Sequence, residues 1–161
     1  MKVAGKVLVV TGAGSGIGRA VAQEAVRRGA RVAAVDLNPA TLAETAAVAE
    51  HALSAHELNV TDRAAVESLP AAVTARWGTV DGVIHCAGII QPFARLKDLD
   101  YDAIDRVFAV NWSGTLYLTK AFLPLLLDRP EGHIVNVASM GGFLPVPARP
   151  STAPRRPRSN C

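Results

Sequence analysis

The chain has 161 residues, 50% of them hydrophobic and 19% charged, with a formal net charge of +3. That length suits one domain with a real core, and the composition excludes an intrinsically disordered protein. The charge is local: the last fourteen residues, ARPSTAPRRPRSNC, hold four arginines and no acid, so residues 1–147 carry −1 and a nucleic-acid-binding role is not expected.

Cys86 and Cys161 are the only cysteines. They argue against a disulfide framework and for a reducing, cytoplasmic setting. The N-terminal apolar stretch breaks at glycines and does not read as a signal peptide. The apolar run Ala121–Leu127 contains Pro124 and is far short of the ~20 residues of a membrane span.

In chain order, short apolar runs alternate with longer helical patterns. Lys6–Thr11 is the first strand candidate, followed by Arg31–Asp36, Ala55–Val60, Val80–Cys86 and His133–Ala138. Val, Ile and Leu fill these runs without strict alternation, as in parallel strands buried on both faces. Gly16–Arg28 reads as a helix with Ile17, Val21, Ala25 and Arg28 on one stripe and Gly29 as its stop. Pro39–Glu50 follows Asn38 as N-cap, with Pro39 at the first helical position. Thr61 or Asp62 caps a helix running to Trp77. A long helix spans Tyr101–Leu127, disturbed by Pro124 near its end. Five βα repeats with short connections predict an α/β fold, a doubly wound parallel sheet of the Rossmann type in one domain over 1–147. Residues 148–161 form an Arg/Pro-rich tail, predicted to be disordered.

The first strand runs into Thr11-Gly12-Ala13-Gly14-Ser15-Gly16-Ile17-Gly18. Gly12 allows a sharp turn out of the strand, Gly16 lets backbone N–H groups approach a pyrophosphate, and Gly18 lets the helix pack against the sheet. The helix starting here offers unpaired N–H groups and its positive end to phosphate. Asp36 ends the second strand, placed to accept from both hydroxyls of a ribose and to repel a 2′-phosphate. No basic residue stands at 37 or inside the turn, so NAD is favoured over NADP. His85 and Cys86 adjoin each other, but His51, His56 and His133 are scattered and no metal site is predicted. Cys86 reads as a small buried residue with no activating base.

Taken together, residues 1–147 resemble the short-chain dehydrogenase/reductase family. TGAGSGIG at Thr11–Gly18 is similar to its cofactor turn, and Asp36 to its NAD-selecting acid. The resemblance implies that Ser15, Ile17, Asn59 and Val60 also bind cofactor, the Asn59 amide oxygen accepting from the adenine amino group. Cys86, Ala87 and Gly88 lie in His85-Cys86-Ala87-Gly88, where the family commonly shows Asn-Asn-Ala-Gly. Asn111 matches the asparagine that kinks the long helix and supports a proton-relay water. Ser139 matches the serine that hydrogen-bonds the substrate oxygen. The implied activity is hydride transfer between a nicotinamide cofactor and an alcohol or ketone. Full-length relatives are implied to be homo-oligomers.

The family's Tyr-x-x-x-Lys motif is expected thirteen residues past the serine. Thr152 and Arg156 stand at those places. Threonine is too weak an acid to move the proton that accompanies hydride transfer. If the reading frame slipped before Ala148, the tail's codons are compatible with Tyr-Ser-Ala-Ser-Lys from position 152. The expectation is therefore a frameshifted, C-terminally truncated family member, its sheet cut after the fifth strand, and an inactive chain. The other classes it could represent are a non-catalytic nucleotide-binding fragment and a protein-interaction module. Truncation is expected to leave the fifth strand as an open edge and Leu116, Leu118, Phe122, Leu123 and Leu126 partly exposed.

Overall fold

In a computed structural model the chain is described over residues 2–49 and 51–139. The predicted tail, with Thr152 and Arg156, lies outside the described residues. Five parallel strands form one sheet: β1 (Val7–Thr11), β2 (Arg31–Asp36), β3 (Leu53–Glu57), β4 (Gly82–His85) and β5 (His133–Asn136), in the order β3-β2-β1-β4-β5. Between them run α1 (Gly16–Arg27), α2 (Pro39–Ala46), α3 (Arg63–Trp77), α4 (Tyr101–Phe108) and α5 (Gly114–Leu127). The α/β sheet ends at β5 among the described residues, as expected.

Alternation along the strands makes two cores. Val7, Val9, Ala33 and Val35 face Val66, Leu69 and Val73 of α3 and Leu118, Phe122 and Leu126 of α5. Leu8, Val10, Val32 and Ala34 face Ala22 and Ala25 of α1 and Leu42 of α2. Burial of both faces explains why β1, β2 and β4 read as unbroken apolar runs, whereas β3 and β5, read the same way, leave most of their residues partly or fully exposed.

Several local readings are corrected. The third strand starts two residues earlier than predicted and ends three residues earlier, at Glu57. Leu58 keeps one bond to the Asp36 carbonyl, but Asn59 then folds its side chain onto Thr61 and takes the backbone out of the ladder. Helix α2 stops at Ala46 rather than Glu50, because the chain turns through Ala49 to bury Leu53. The buried stripe of α1 is Gly18, Ala22 and Ala25, whereas Ile17 is 62% exposed. A Cβ on Gly18 would collide with the Gly12 carbonyl, so the smallest side chains must face the sheet. Leu118, Phe122 and Leu126 are buried, and of the five residues expected to be partly exposed only Leu116 and Leu123 are.

The predicted long helix is one path interrupted at its middle. A π-helical turn, Ala109–Ser113, separates α4 from α5 and contains Asn111. Pro124 is accommodated inside α5. No described helix is long and apolar enough to cross a membrane.

One polar cluster is buried in this frame. Asp81 is 1% exposed; its carboxylate accepts from the Val7 N–H at 2.9 Å and from Arg129 Nη2 at 2.8 Å, with Lys6 Nζ at 3.6 Å. Burial acts to raise its pKa, but these partners outweigh it and hold the carboxyl below its ordinary value.

Candidate functional site

The sheet order reverses between β1 and β4. The chain moves outward from β1 through β2 to β3, then returns to the other side of β1. Crevices at the C-terminal ends of strands form at such switch points. Here a cleft of about 390 Å³ lies there, lined by Gly12 and Ser15–Gly18, by Val35–Leu37, Leu58–Val60, Cys86–Ile89 and Val110. Of the predicted cofactor-binding residues, Gly12, Ser15, Gly16, Ile17, Gly18, Asp36, Asn59, Val60, Cys86, Ala87 and Gly88 all line it.

Gly12 has φ +66°, and a Cβ there would stand 2.8 Å from the Ala87 nitrogen. This close approach joins the turn after β1 to the loop after β4. Gly16 has φ +50°, and a Cβ there would meet nothing within 4 Å. The space over Gly16 is therefore open to a ligand. Ser15 caps α1 in an extended conformation, its side chain makes no capping bond, and no acid stands in the first turn. The N–H groups that begin α1 thus keep their capacity for an anion.

The Asp36 carboxylate is fixed on both oxygens. Oδ2 accepts from the Gly14 N–H at 2.8 Å and Oδ1 from the Asn38 N–H at 3.0 Å. Each oxygen keeps a further lone pair. Asn59 is arranged differently from expectation. Its Oδ1 already accepts from the Thr61 N–H at 3.0 Å and hydroxyl at 2.9 Å, which leaves Nδ2, a donor, as its free polar atom.

The loop after β4 is held from below. Thr11 Oγ1 lies 2.6 Å from His85 Nδ1 and accepts from the Ala87 N–H at 3.2 Å. His85 is 4% exposed, its Nε2 is buried without a hydrogen-bond partner, and burial lowers its pKa, so the ring is neutral. Burial also raises the Cys86 thiol, which keeps it protonated as an inert part of the wall. Among the described residues no group of acids, histidines and cysteines could hold a metal.

Asn111 is joined to this loop. Its side chain accepts from the Ile89 N–H at 2.9 Å and donates to the Ile89 carbonyl at 2.8 Å, while its own carbonyl accepts from the Thr115 hydroxyl at 2.7 Å. The π turn thus puts an asparagine where it pins the loop bordering the cleft. Ser139 is exposed and stands three residues past the end of β5.

Two contributors had no signal in the glycine spacing. Gly14 supplies the bond to Asp36, and Arg19 donates to the Gly14 carbonyl at 2.5 Å and the Thr41 carbonyl at 3.1 Å while pairing with Glu44 at 2.9 Å.

The family model described as short chain dehydrogenase matches residues 6–151. Sorbitol dehydrogenase of Cereibacter sphaeroides is 37% identical over 143 residues, 88% of this chain and 56% of the relative. The short chain dehydrogenase/reductase dpmpG of Macrophomina phaseolina is 38% identical over 150 residues, 88% of this chain and 86% of that protein. Among solved structures, NAD+-bound xylitol dehydrogenase superposes with a TM-score of 0.87 at 31% identity, over 92% of this chain and 58% of that one. The 3-ketoacyl-(acyl-carrier-protein) reductase of Brucella melitensis, complexed with NADH, gives 0.85 at 28% identity, over 91% and 62%. The chain thus spans little more than half the length of several of these relatives. A family match over nearly all the described residues, together with a glycine-turn cleft at the switch point of the sheet, leads to one conclusion: the chain belongs to the short-chain dehydrogenase family of oxidoreductases.

Proposed function

We propose that this chain binds NAD in the cleft between β1 and β4, as the nucleotide-binding part of an alcohol/carbonyl oxidoreductase. The observation that carries this reading is Asp36, held on both oxygens at the end of β2 beside the open glycine turn. A fixed carboxylate accepts from both ribose hydroxyls and repels a 2′-phosphate, which favours NAD over NADP. The site fits the group: a Cβ on Gly16 would enter free space, and the start of α1 carries no competing acid. Gly16, Ile17 and Gly18 would offer backbone N–H groups to the pyrophosphate. Asn59 Nδ2 would donate toward the adenine ring, with Val60 beside it. Cys86, Ala87 and Gly88 form the opposite wall. The bound nicotinamide would supply hydride exchange with a secondary alcohol or ketone.

Of the family's catalytic residues, the chain offers Asn111 and Ser139. Ser139 would hold the substrate oxygen, and Asn111 would order the loop that faces it. Thr152 and Arg156 stand where the family's tyrosine and lysine are expected, and a threonine hydroxyl does not act as an acid near neutral pH. Losing a general acid/base costs about 10²–10⁴ in rate. The reading is therefore nucleotide binding without effective turnover, by a unit over 1–147 with a cytoplasmic location. Calorimetric titration with NAD and NADP, beside an assay of secondary alcohols with NAD, tests it. Preferred NAD binding without turnover is the expected result. Absence of binding to either nucleotide overturns the reading, and turnover at ordinary rates overturns its catalytic half.

A further inference from the structure

The wall behind Asp36 is built by residues that do not line the cleft. Gly14 is buried, and a Cβ on it would stand 2.7 Å from the Asp36 Cγ, 2.9 Å from Oδ2 and 2.5 Å from the Thr41 hydroxyl. Its φ is not in the left-handed region. Space beside Asp36, rather than backbone conformation, is therefore what glycine supplies here, and a larger residue would push the Asp36 and Thr41 side chains aside. With no side chain, Gly14 lets the carboxylate reach its N–H at 2.8 Å.

Three further ties keep Gly14 in place. Arg19 donates to the Gly14 carbonyl and to the Thr41 carbonyl, and its guanidinium pairs with Glu44 of α2. Thr45, also of α2, donates to the Ala13 carbonyl at 2.9 Å and is wholly buried. The Ala13 N–H donates to the Val35 carbonyl at 3.0 Å. The glycine turn is thus sewn to β2 and along the length of α2, with Asp36 between them.

We propose that Gly14 sets the nucleotide preference of the cleft as the positioning residue for Asp36, with Arg19 holding Gly14 against the carboxylate. This rests on the reading that the cleft binds NAD and that Asp36 selects it. Any side chain at 14 moves the carboxylate away from the ribose-binding position and removes one of its two backbone donors. The charge stays near the cleft, so the chief loss is affinity for NAD rather than gain of NADP.

Dissociation constants for NAD and NADP, measured by titration calorimetry on the wild type, Gly14→Ala, Asp36→Gly and the double variant, test the proposal. Gly14→Ala is expected to lower the NAD-over-NADP ratio by about tenfold, the worth of one hydrogen bond to a charged group. Asp36→Gly lowers it as well, and the double variant should match Asp36→Gly alone, because the two residues act as one unit. A fault confined to the phosphate-binding turn would weaken both nucleotides equally and leave the ratio unmoved. An unchanged ratio in Gly14→Ala, or an effect that persists in full beside Asp36→Gly, overturns the proposal while leaving the role of Asp36 intact. A wild type that does not distinguish the nucleotides overturns both. If Gly14→Ala does not fold, Arg19→Met carries the test: it should also lower the ratio, and an unchanged ratio there overturns the proposal.

Discussion

Gly16 and Gly78 form a matched pair that separates backbone strain from ligand contact. Both have positive φ, +50° and +79°, and a Cβ on either meets nothing within 4 Å. Gly16 lines the cleft, while Gly78 caps the far end of α3. Alanine in the left-handed region costs about 1–2 kcal/mol, and the restricted unfolded chain returns about half a kcal/mol or more. Both Gly→Ala changes should therefore cost about 1 kcal/mol and lower Tm by roughly 2–4 °C for a chain of this size. Ligand stabilisation then divides them. At a hundredfold excess over Kd, NAD should stabilise the wild type by about 2.7 kcal/mol. A methyl group over the phosphate-binding N–H groups removes about two charge-assisted bonds, roughly a hundredfold in affinity. At the same NAD concentration Gly16→Ala then retains only about 0.4 kcal/mol. Thermal melts with and without NAD read the contrast directly. Gly78→Ala should keep the full NAD-induced rise and Gly16→Ala should lose most of it. An intact rise in Gly16→Ala would refute the placement of the phosphates, and a far larger loss of stability than in Gly78→Ala would refute the open space assigned to residue 16.

Further outcomes follow from the buried polar groups. Asp81→Asn breaks a part-buried pair with Arg129 and should cost about 1–3 kcal/mol in urea denaturation, the worth of hydrogen bonds to a charged group. The folded pKa of Asp81 is depressed, so its contribution is complete above its ordinary value of 3.8 and lost as pH falls through the lower folded value. Acid melts of Asp81→Asn should lack that component. His85 and His56 are both depressed by burial, so stability should fall as pH drops below the ordinary histidine value of 6.5, where the unfolded chain takes up protons first. Denaturation at pH 7 and pH 5 should show a smaller drop for His85→Asn than for the wild type; an equal drop refutes the assignment. Thr11→Val removes the hydroxyl that serves both His85 and Ala87 and should cost about 1–3 kcal/mol, with Thr11→Ser recovering most of it.

The cleft was legible in the sequence because its parts are fixed by local spacing. A glycine turn after the first strand, an acid at the end of the second and an Ala-Gly pair after the fourth reach the same crevice once the strands run parallel. What spacing could not supply was the contact behind each part. Gly14 looked like an idle position between Gly12 and Gly16, since its need for glycine comes from the Asp36 and Thr41 side chains packed on it. The stripe of α1 was half placed: Val21 and Ala25 pack on the core and Gly18 packs on Gly12 as read from the turn, but Ile17 is exposed and Ala22 takes the buried place. Asn59 was assigned an acceptor role without knowledge of Thr61, which uses that oxygen. Asp81 sat inside an apolar strand run with no hint of Arg129, forty-eight positions away.

The same geometry sets β5 apart from the cleft. The residues lining the cleft come from the turn after β1, α1, β2, the segments after β2, β3 and β4, and the π turn. Their supports fall in two sets: Thr11 and Asn111 bond the segment after β4, and Arg19 ties Gly14 to α2. Strand β5 sits at the edge, with Ile134 alone among its residues packed against a core cluster and Val135 50% exposed. Its ladder to β4 nevertheless continues from Gly82 to His85, and the Val137 N–H donates to the His85 carbonyl at 2.9 Å. Loosening β5 would therefore reach the nucleotide cleft only through His85 and the loop above it, whereas it would displace Ser139 directly. A substitution along β5 should accordingly leave NAD affinity nearly unchanged in titration calorimetry, and one at Thr11 or Gly14 should lower it.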